Sequence, residues 1–116
     1  MTTTTRTTFK PQAHDLAWLL IVTYTAPLER IDALLPAHVR YLDRFYASGE
    51  FLASGPRSPR HGGVIVAHAR DRDHLDDIVA TDPFVQAGAA TYSIVAFAPT
   101  RGPLAPALLG APFDPS

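Results

Sequence analysis

Two side chains that lie far apart in the sequence, His38 and Asp82, could together carry out general acid–base chemistry. On a helical wheel, His38 falls within an apolar stripe formed by Ile31, Leu34, Leu42 and Phe45. Partial burial and a position in the first turn of a helix would both disfavour the charged imidazolium. A neutral imidazole is the form that can abstract a proton near physiological pH. The alternative interpretation is a core histidine whose ring is satisfied by a backbone carbonyl.

Asp82 directly precedes Pro83, and this pair is typical of the N-cap and the first position of a helix. Capping alone is a sufficient structural reason for the residue. A carboxylate that is fixed by capping can also bind one nitrogen of an imidazole and orient the other toward a substrate. In this hypothesis His38 is the base and Asp82 is the residue that orients it.

Ser54 and Gly55 lie near the end of a predicted strand, residues 50–57. A glycine at such a place permits the close approach of a ligand or of another backbone. Both residues are therefore candidates for substrate binding. The structural alternative is that the strand ends here, before a loop rich in proline and glycine.

Several kinds of chemistry require residues or motifs that this sequence lacks. The absence of cysteine excludes thiolate nucleophiles, disulfides, iron–sulfur clusters and cysteine-ligated zinc. The sequence has neither a glycine-rich phosphate-binding motif nor the nucleophile elbow of serine hydrolases. No metal-ligand spacing is formed by the other histidines, His14, His61, His68 and His74. We therefore predict a site that uses no metal and no cofactor.

The overall charge and hydropathy limit the partners of the chain. The formal net charge of -1 provides no field that would attract a polyanion, so we expect no nucleic-acid partner. The longest apolar run, residues 16–22, is too short to span a bilayer. The threonine-rich start lacks the apolar segment of a secretory signal. We expect a cytoplasmic protein with a small-molecule substrate and no membrane association.

The candidate residues must be positioned by a small set of strands and helices. Apolar runs bounded by turn signals predict strands at residues 16–24, 50–57, 63–70 and 91–97. After Pro27 we expect a short helical turn, followed by a main helix over residues 36 to about 48, because Pro36 disfavours helical geometry in the residue before it. Asp71 or Asp73 can cap a second helix, and Asp82 a third, short one.

The element order βαββαβ predicts an α+β fold of the ferredoxin-like type, with a four-stranded antiparallel sheet and both helices on one face. The first and fourth strands are apolar on both faces, so a monomer would expose a large apolar surface on the side without helices. A second copy packed sheet against sheet is the simplest cover, and we expect a homodimer. The domain is predicted over residues 14–98, between a flexible threonine-rich tail (1–13) and a proline-rich tail (99–116).

Six short motifs follow one another along this predicted frame: Pro36-Ala37-His38-Val39, Gly49, Gly55-Pro56, Gly62-Gly63, Asp82-Pro83-Phe84 and Gly88. In order and approximate spacing, over about residues 18–97, they resemble the YCII-related (YciI-like) family. The resemblance implies a dimeric α+β barrel with His38 and Asp82 as a catalytic pair, and with Trp18 and Phe84 as walls of the pocket. Leu35 departs from the family pattern, which usually has an arginine three residues before the histidine.

For function, the resemblance implies a cofactor-independent enzyme of small-molecule metabolism. The histidine and the aspartate would act as general acid and base on a cyclic or aromatic substrate, in a reaction of the isomerase, cyclase, lyase or dehalogenase type. The alternative is a non-catalytic dimeric module that binds a small molecule or serves a metabolic enzyme as an accessory. A third interpretation is a domain whose only role is dimerisation.

Overall fold

The computed structural model describes residues 10–112 and contains one four-stranded antiparallel sheet. Its strands are β1 (Ala17–Tyr24), β2 (Phe51–Pro56), β3 (Gly62–Ala67) and β4 (Ala90–Phe97). The strand order is β2-β3-β1-β4, so that β1 pairs with both β3 and β4. With the helices described next, this arrangement confirms the predicted α+β fold of the ferredoxin-like type.

Helix α1 (Leu28–Ser48) is continuous, and the prediction of a short turn followed by a separate helix was wrong. Pro36 lies inside this helix on its exposed side, where water can satisfy the backbone carbonyl that has no amide donor four residues later. The apolar stripe continues across the proline, since Ile31 before it and Phe45 after it are both buried. This packing outweighs the loss of one backbone hydrogen bond. Gly49, with a φ of +94°, then ends the helix in the left-handed conformation.

Two shorter helices, α2 (Arg72–Ala80) and α3 (Pro83–Gln86), follow β3, and each is capped by an aspartate. Asp71 accepts a hydrogen bond of 2.8 Å from a backbone N–H in the first turn of α2, so it is the cap that this helix uses. Asp82 accepts one of 2.9 Å from the backbone N–H of Phe84. This is the contact expected of an N-cap before a proline.

The hydrophobic core lies between the helices and one face of the sheet. From β1, the alternate residues Trp18, Leu20 and Val22 contribute to it, as the two-residue period of a strand requires. The helices contribute Ile31, Tyr41, Phe45, Leu75, Ile78 and Phe84. All of these side chains are buried, so α1, α2 and α3 share one face of the sheet with a single core.

The loop between β2 and β3 passes close to the end of β1. The backbone N–H of Tyr24 donates a hydrogen bond of 2.8 Å to the carbonyl of His61. A Cβ atom at Gly62 would lie 1.7 Å from the carbonyl oxygen of Val22, so only glycine fits at this crossing. The close approach holds the loop, which includes Arg60, against the strand.

The other side of the sheet is apolar and partly exposed, and we refer to it as the open face. Its residues have the opposite parity to the core residues and are Leu19, Ile21, Val64, Val66, Val95 and Phe97. Val95 is 44% exposed and Phe97 is 37% exposed. This is the surface for which the sequence predicted a second subunit.

Short helical elements lie on both sides of the domain, a 3₁₀ turn at Ala13–Asp15 and helix α4 at Ala105–Leu108. The segment after β4 turns back toward the end of β3, because a Cβ at Gly110 would lie 2.9 Å from ring atoms of His68. Residues 1–9 and 113–116 of the two predicted tails lie outside the described residues. Within residues 10–112 no helix is long and apolar enough to cross a membrane.

Candidate active site

A cavity of about 430 Å³ lies beside helix α1, with walls from all the core elements except β4 and α2. Its lining is mostly apolar and consists of Val22, Tyr24, Asp32, Leu35, His38, Leu42, Ser54, Gly55, Pro56, Arg60, Gly63, Val64, Ile65 and Phe84. A concave, mostly apolar space with a few polar groups is typical of a site for a small organic molecule. In the part of the chain that is described, no three histidine or acidic side chains are placed to hold a metal ion.

His38 lies near the middle of α1, and it is only 8% exposed. Its Nδ1 atom is 2.8 Å from Oδ1 of Asp82, and its ring stacks on the ring of Phe84 with the centroids 4.0 Å apart. The expectation that His38 lies in the first turn of a helix was wrong, because α1 begins at Leu28 and not near Pro36. The environment of the imidazole is therefore determined by burial, by a carboxylate and by an aromatic face.

Asp82 is fully buried, with 0% of its surface exposed, and its two carboxylate oxygens accept three hydrogen bonds. Oδ1 accepts from the backbone N–H of Phe84 at 2.9 Å and contacts Nδ1 of His38. Oδ2 accepts from the hydroxyl of Tyr92 at 2.5 Å. One carboxylate thus caps a helix and contacts the imidazole. Because a carboxylate accepts hydrogen bonds, it favours the imidazole form with a proton on Nδ1 and a lone pair on Nε2.

The buried end of the site, which holds His38 and Asp82, is referred to as the inner end. Two tyrosines lie beside Asp82 there. Burial raises the pKa of Tyr92 well above its usual range, and the neighbouring Tyr41 and Asp82 raise it further. Burial also raises the pKa of Tyr41, whose hydroxyl oxygen is 3.4 Å from that of Tyr92. Tyr92 therefore keeps its proton, and its hydroxyl donates a hydrogen bond to Asp82. No sequence motif marks Tyr92, although it shares strand parity with Ala90 and Ile94 on the core side, where a hydroxyl needs a partner.

The residues predicted to bind substrate are only partly brought together. Three of the four line the cavity, namely Ser54, Gly55 and Phe84. The hydroxyl of Ser54 is hydrogen-bonded to that of Tyr46. Trp18 is buried in the core at 5% exposure and is not among the residues that line the cavity. It lies toward the start of β1, whereas the cavity is at the end that holds Val22 and Tyr24.

An exposed ion pair, Arg60 with Asp32, lies at the edge of the cavity, and we call this pair the mouth. Nη2 of Arg60 donates to Oδ1 of Asp32 at 2.6 Å, and Cζ of Arg60 is 5.9 Å from the centre of the Tyr24 ring. The hydrogen bond with Asp32 raises the pKa of Arg60 further above its usual value. Leu35 lines the same cavity. Because Arg60 and Asp32 are 28 residues apart and meet only through folding, no sequence motif indicated this pair.

Solved structures with low sequence identity share the fold. One is a 5-chloro-2-hydroxyhydroquinone dehydrochlorinase from Burkholderia phenoliruptrix in complex with 2,5-dihydroxybenzoquinone, with a TM-score of 0.61 and 20% identity, covering 74% of this chain and 95% of that chain. Another is an antibiotic biosynthesis monooxygenase, with a TM-score of 0.51 and 18% identity, covering 73% of this chain and 99% of that chain. At these identities the similarity shows a common fold. None of the curated proteins matches the sequence.

The YCII-related domain matches residues 17–98 of this chain. The match spans all four strands and the helices between them, and it includes both His38 and Asp82. Its bounds agree with residues 18–97, the range over which the short motifs resemble the family. The resemblance is therefore confirmed by a match to most of the sequence, and the chain belongs to the YCII-related family.

Proposed function

We propose that this protein is a cofactor-independent enzyme in which His38 moves a proton on a cyclic or aromatic small molecule bound in the cavity. One observation carries the proposal: the imidazole that lines the cavity is bonded through Nδ1 to a fully buried carboxylate. In this arrangement Asp82 orients the ring, and Nε2 is the atom that accepts the proton. The same nitrogen then returns the proton to the substrate, to a leaving group or to water.

The surroundings of His38 favour this use because they hold the ring still. Asp82 fixes the imidazole through Nδ1, and Tyr92 and a helix cap in turn fix Asp82. Phe84 covers one face of the imidazole with nearly parallel planes, 12° apart. A positioned base in an apolar site can contribute to isomerisation, to cyclisation and to elimination, since each begins with a proton transfer.

Elimination of hydrogen chloride from a chlorinated hydroxyhydroquinone is one concrete reaction of this class. A protein with the same fold is a 5-chloro-2-hydroxyhydroquinone dehydrochlorinase, and its structure holds 2,5-dihydroxybenzoquinone. In such a reaction a proton first moves from a ring hydroxyl to the carbon that bears chlorine, which gives a keto tautomer. The base then removes a proton from another hydroxyl, the electron pair that is released expels chloride from that carbon, and the ring becomes a hydroxyquinone. The substrate supplies all the electrons, so the step needs no oxidant and no cofactor. We propose ring compounds of this kind as the first substrates to test.

The catalytic test is a comparison of two histidine variants. Chloride release from 5-chloro-2-hydroxyhydroquinone and deuterium uptake from D₂O by enolisable lactones both report proton transfer. We expect His38→Gln to lower the rate by about 10²–10⁴-fold, the usual contribution of a positioned acid or base. His74→Gln is the matched control, because Nε2 of His74 lies 3.3 Å from Oε2 of Glu50 in a histidine–carboxylate pair that does not line the cavity.

Two results would contradict this proposal. The first is a folded His38→Gln variant that turns substrate over at the wild-type rate. The second is a wild-type protein that binds these ring compounds without chloride release or deuterium exchange above background. The second result would favour the alternative function, a module that binds a small molecule without converting it.

We further propose that the working unit is a homodimer formed through the open face. Val95 and Phe97 leave apolar surface exposed there, and a second sheet would cover it. Val95→Glu should convert a dimer to a monomer, as measured by light scattering, because it places a charge within the interface. Leu28→Glu is the control, since Leu28 is equally exposed, at 46%, but lies on α1. A Val95→Glu protein that remains dimeric would exclude this interface.

A further inference from the structure

The mouth of the cavity contains two charged groups that the proposed proton transfer does not use. Arg60 comes from the loop between β2 and β3, and Asp32 comes from the second turn of α1, so the ion pair joins two separate elements. Among the described residues that line the cavity, these two alone carry a full charge at neutral pH, apart from any charge on His38. The proposed proton transfer gives no role to the Arg60 cation, although it lies beside a mostly apolar cavity.

The guanidinium group of Arg60 is suited to binding an anionic oxygen. It is planar and carries five N–H donors, which match the geometry of carboxylates and similar anions. Nη2 contacts Asp32, and this contact is exposed, with 39% of the Arg60 side chain and 56% of the Asp32 side chain accessible. Water competes with an ion pair of this kind, so a ligand anion can replace Asp32 at little cost.

A row of aromatic rings connects the mouth to His38. The Tyr24 ring lies 5.9 Å from Cζ of Arg60 and meets the Phe84 ring edge to face, with the centroids 5.8 Å apart. Phe84 in turn stacks on His38. Tyr24 and Phe84 both line the cavity, and together they form a wall against which a flat ring can pack. A ring that packs against this wall would lie between Arg60 and His38.

We propose that Arg60 binds an ionised oxygen of a planar ring substrate, and that Asp32 is the carboxylate which the substrate displaces. The inference rests on the proposed function, because it takes the ligand to lie in the cavity beside His38. It assigns the substrate class as a ring compound that carries a phenolate, an enolate or a carboxylate. Leu35 of α1 also lines the cavity, and among the described lining residues Arg60 is the only arginine or lysine.

The test uses two ligands that differ in charge and hardly in shape. Lawsone is a hydroxynaphthoquinone that is ionised at neutral pH, and its methyl ether is uncharged. Binding of each ligand to the 116-residue chain is measured by calorimetry. We expect Arg60→Met to weaken lawsone binding by about tenfold, the value of one charge-assisted hydrogen bond, and to leave binding of the ether unchanged. Asp32→Asn should strengthen lawsone binding, because it removes the competing carboxylate.

The control variants come from an ion pair of similar geometry that is outside the cavity. In α2, Arg72 donates to Asp76 at 2.9 Å, and both side chains are about half exposed, at 54% and 51%. Arg72→Met and Asp76→Asn change the net charge as the two mouth variants do. Neither should change the affinity for lawsone, so they separate a specific contact from a general charge effect.

Three results would overturn the inference: no binding of lawsone to the wild-type protein, wild-type affinity for lawsone in Arg60→Met, or equal weakening of both ligands in Arg60→Met. The outcome is distinguishable from that of the catalytic test. If lawsone binding depends on Arg60 but His38→Gln retains full turnover, the anion site stands and the role of His38 fails. If His38→Gln loses turnover but Arg60→Met binds lawsone with wild-type affinity, the catalytic proposal stands and the anion site fails.

Discussion

The inner end of the cavity and its mouth each hold a basic side chain against an aspartate, at 2.8 Å for His38 and Asp82 and at 2.6 Å for Arg60 and Asp32. The distances are alike, but the surroundings are not. The side chains of the inner pair are 11% and 0% exposed, whereas those of the mouth are 39% and 56% exposed. The comparison shows that the contact distance alone does not tell whether a pair is part of the framework or a group that a ligand can displace.

Burial explains why the two pairs differ. A buried carboxylate needs hydrogen-bond donors to replace water, and Asp82 has three of them from two helices and a strand. Removing any one donor or the acceptor leaves polar groups without partners. At the mouth, water can replace either partner, so the pair contributes little to stability and can exchange Asp32 for a ligand.

The largest effect is expected at the inner end, from Asp82→Ala. The substitution leaves the Tyr92 hydroxyl, the His38 ring and a helix N–H without an acceptor in the core. We expect the free energy of unfolding to fall by about 3–5 kcal/mol, the range for breaking a buried pair. Urea unfolding followed by circular dichroism measures it. Asp82→Asn keeps one acceptor oxygen, so its free energy of unfolding should fall by less than that of Asp82→Ala.

A second N-cap provides the control for this prediction. Asp71 caps α2 with the same kind of hydrogen bond, but its side chain is 50% exposed, and it accepts from a backbone N–H of that helix. Asp71→Ala should therefore cost about 1 kcal/mol, the typical value of a cap. Equal losses for Asp71→Ala and Asp82→Ala would mean that capping explains Asp82 and that its contacts with the two side chains contribute nothing.

The sequence predicted the inner end of the site better than the mouth. The Asp82-Pro83 pair indicated a capping carboxylate, and the apolar stripe around His38 indicated an inward-facing ring, so both were predicted from local patterns. Tyr92 was missed because its role depends on β4 lying beside β1, which the pattern of a single strand does not show. Trp18 has the parity of a core residue, but parity does not tell which end of the strand borders a cavity.

The two wrong predictions about α1 have one cause. Pro36 was taken as a helix boundary because it disfavours helical geometry before it, but the apolar stripe on both sides of the proline packs on the core as one surface. The packing of the whole helix on the core therefore contributes more to the free energy of folding than the local conformational preference of one residue costs. The mouth could not be predicted at all, since it joins a loop to a helix and both partners are exposed.

The ionisation of tyrosine at alkaline pH should change the free energy of unfolding by less than Asp82→Ala does, and Tyr92 is the main group concerned. Burial raises the pKa of Tyr92 and of Tyr41, whereas in the unfolded chain a tyrosine has a pKa of about 10. Above about pH 10 the folded state keeps protons that the unfolded state loses, so the free energy of unfolding falls as the pH rises. The contribution is complete at neutral pH. Urea titrations at a series of pH values would show this fall in the wild-type protein.

Tyr92→Phe removes one of these titrating groups and also one hydrogen bond to Asp82. At neutral pH we expect a loss of about 1–2 kcal/mol, because the hydrogen bond is made to a charged acceptor. Above about pH 10 the stability of the variant should fall less steeply than that of the wild type. Parallel curves for the two proteins would show that Tyr92 does not hold its proton in the folded state.

The smallest effect on stability is expected at the mouth, from Arg60→Met and Asp32→Asn. Both side chains are solvated, so losing the ion pair exposes no buried charge and leaves no core donor without a partner. We expect the urea midpoint of each variant to equal that of the wild type within error, at both low and high salt. A clear shift would show that the ion pair is part of the framework. In that case a ligand could not readily displace Asp32 from Arg60. Both ion pairs would then stabilise the fold, and they would differ only in how much.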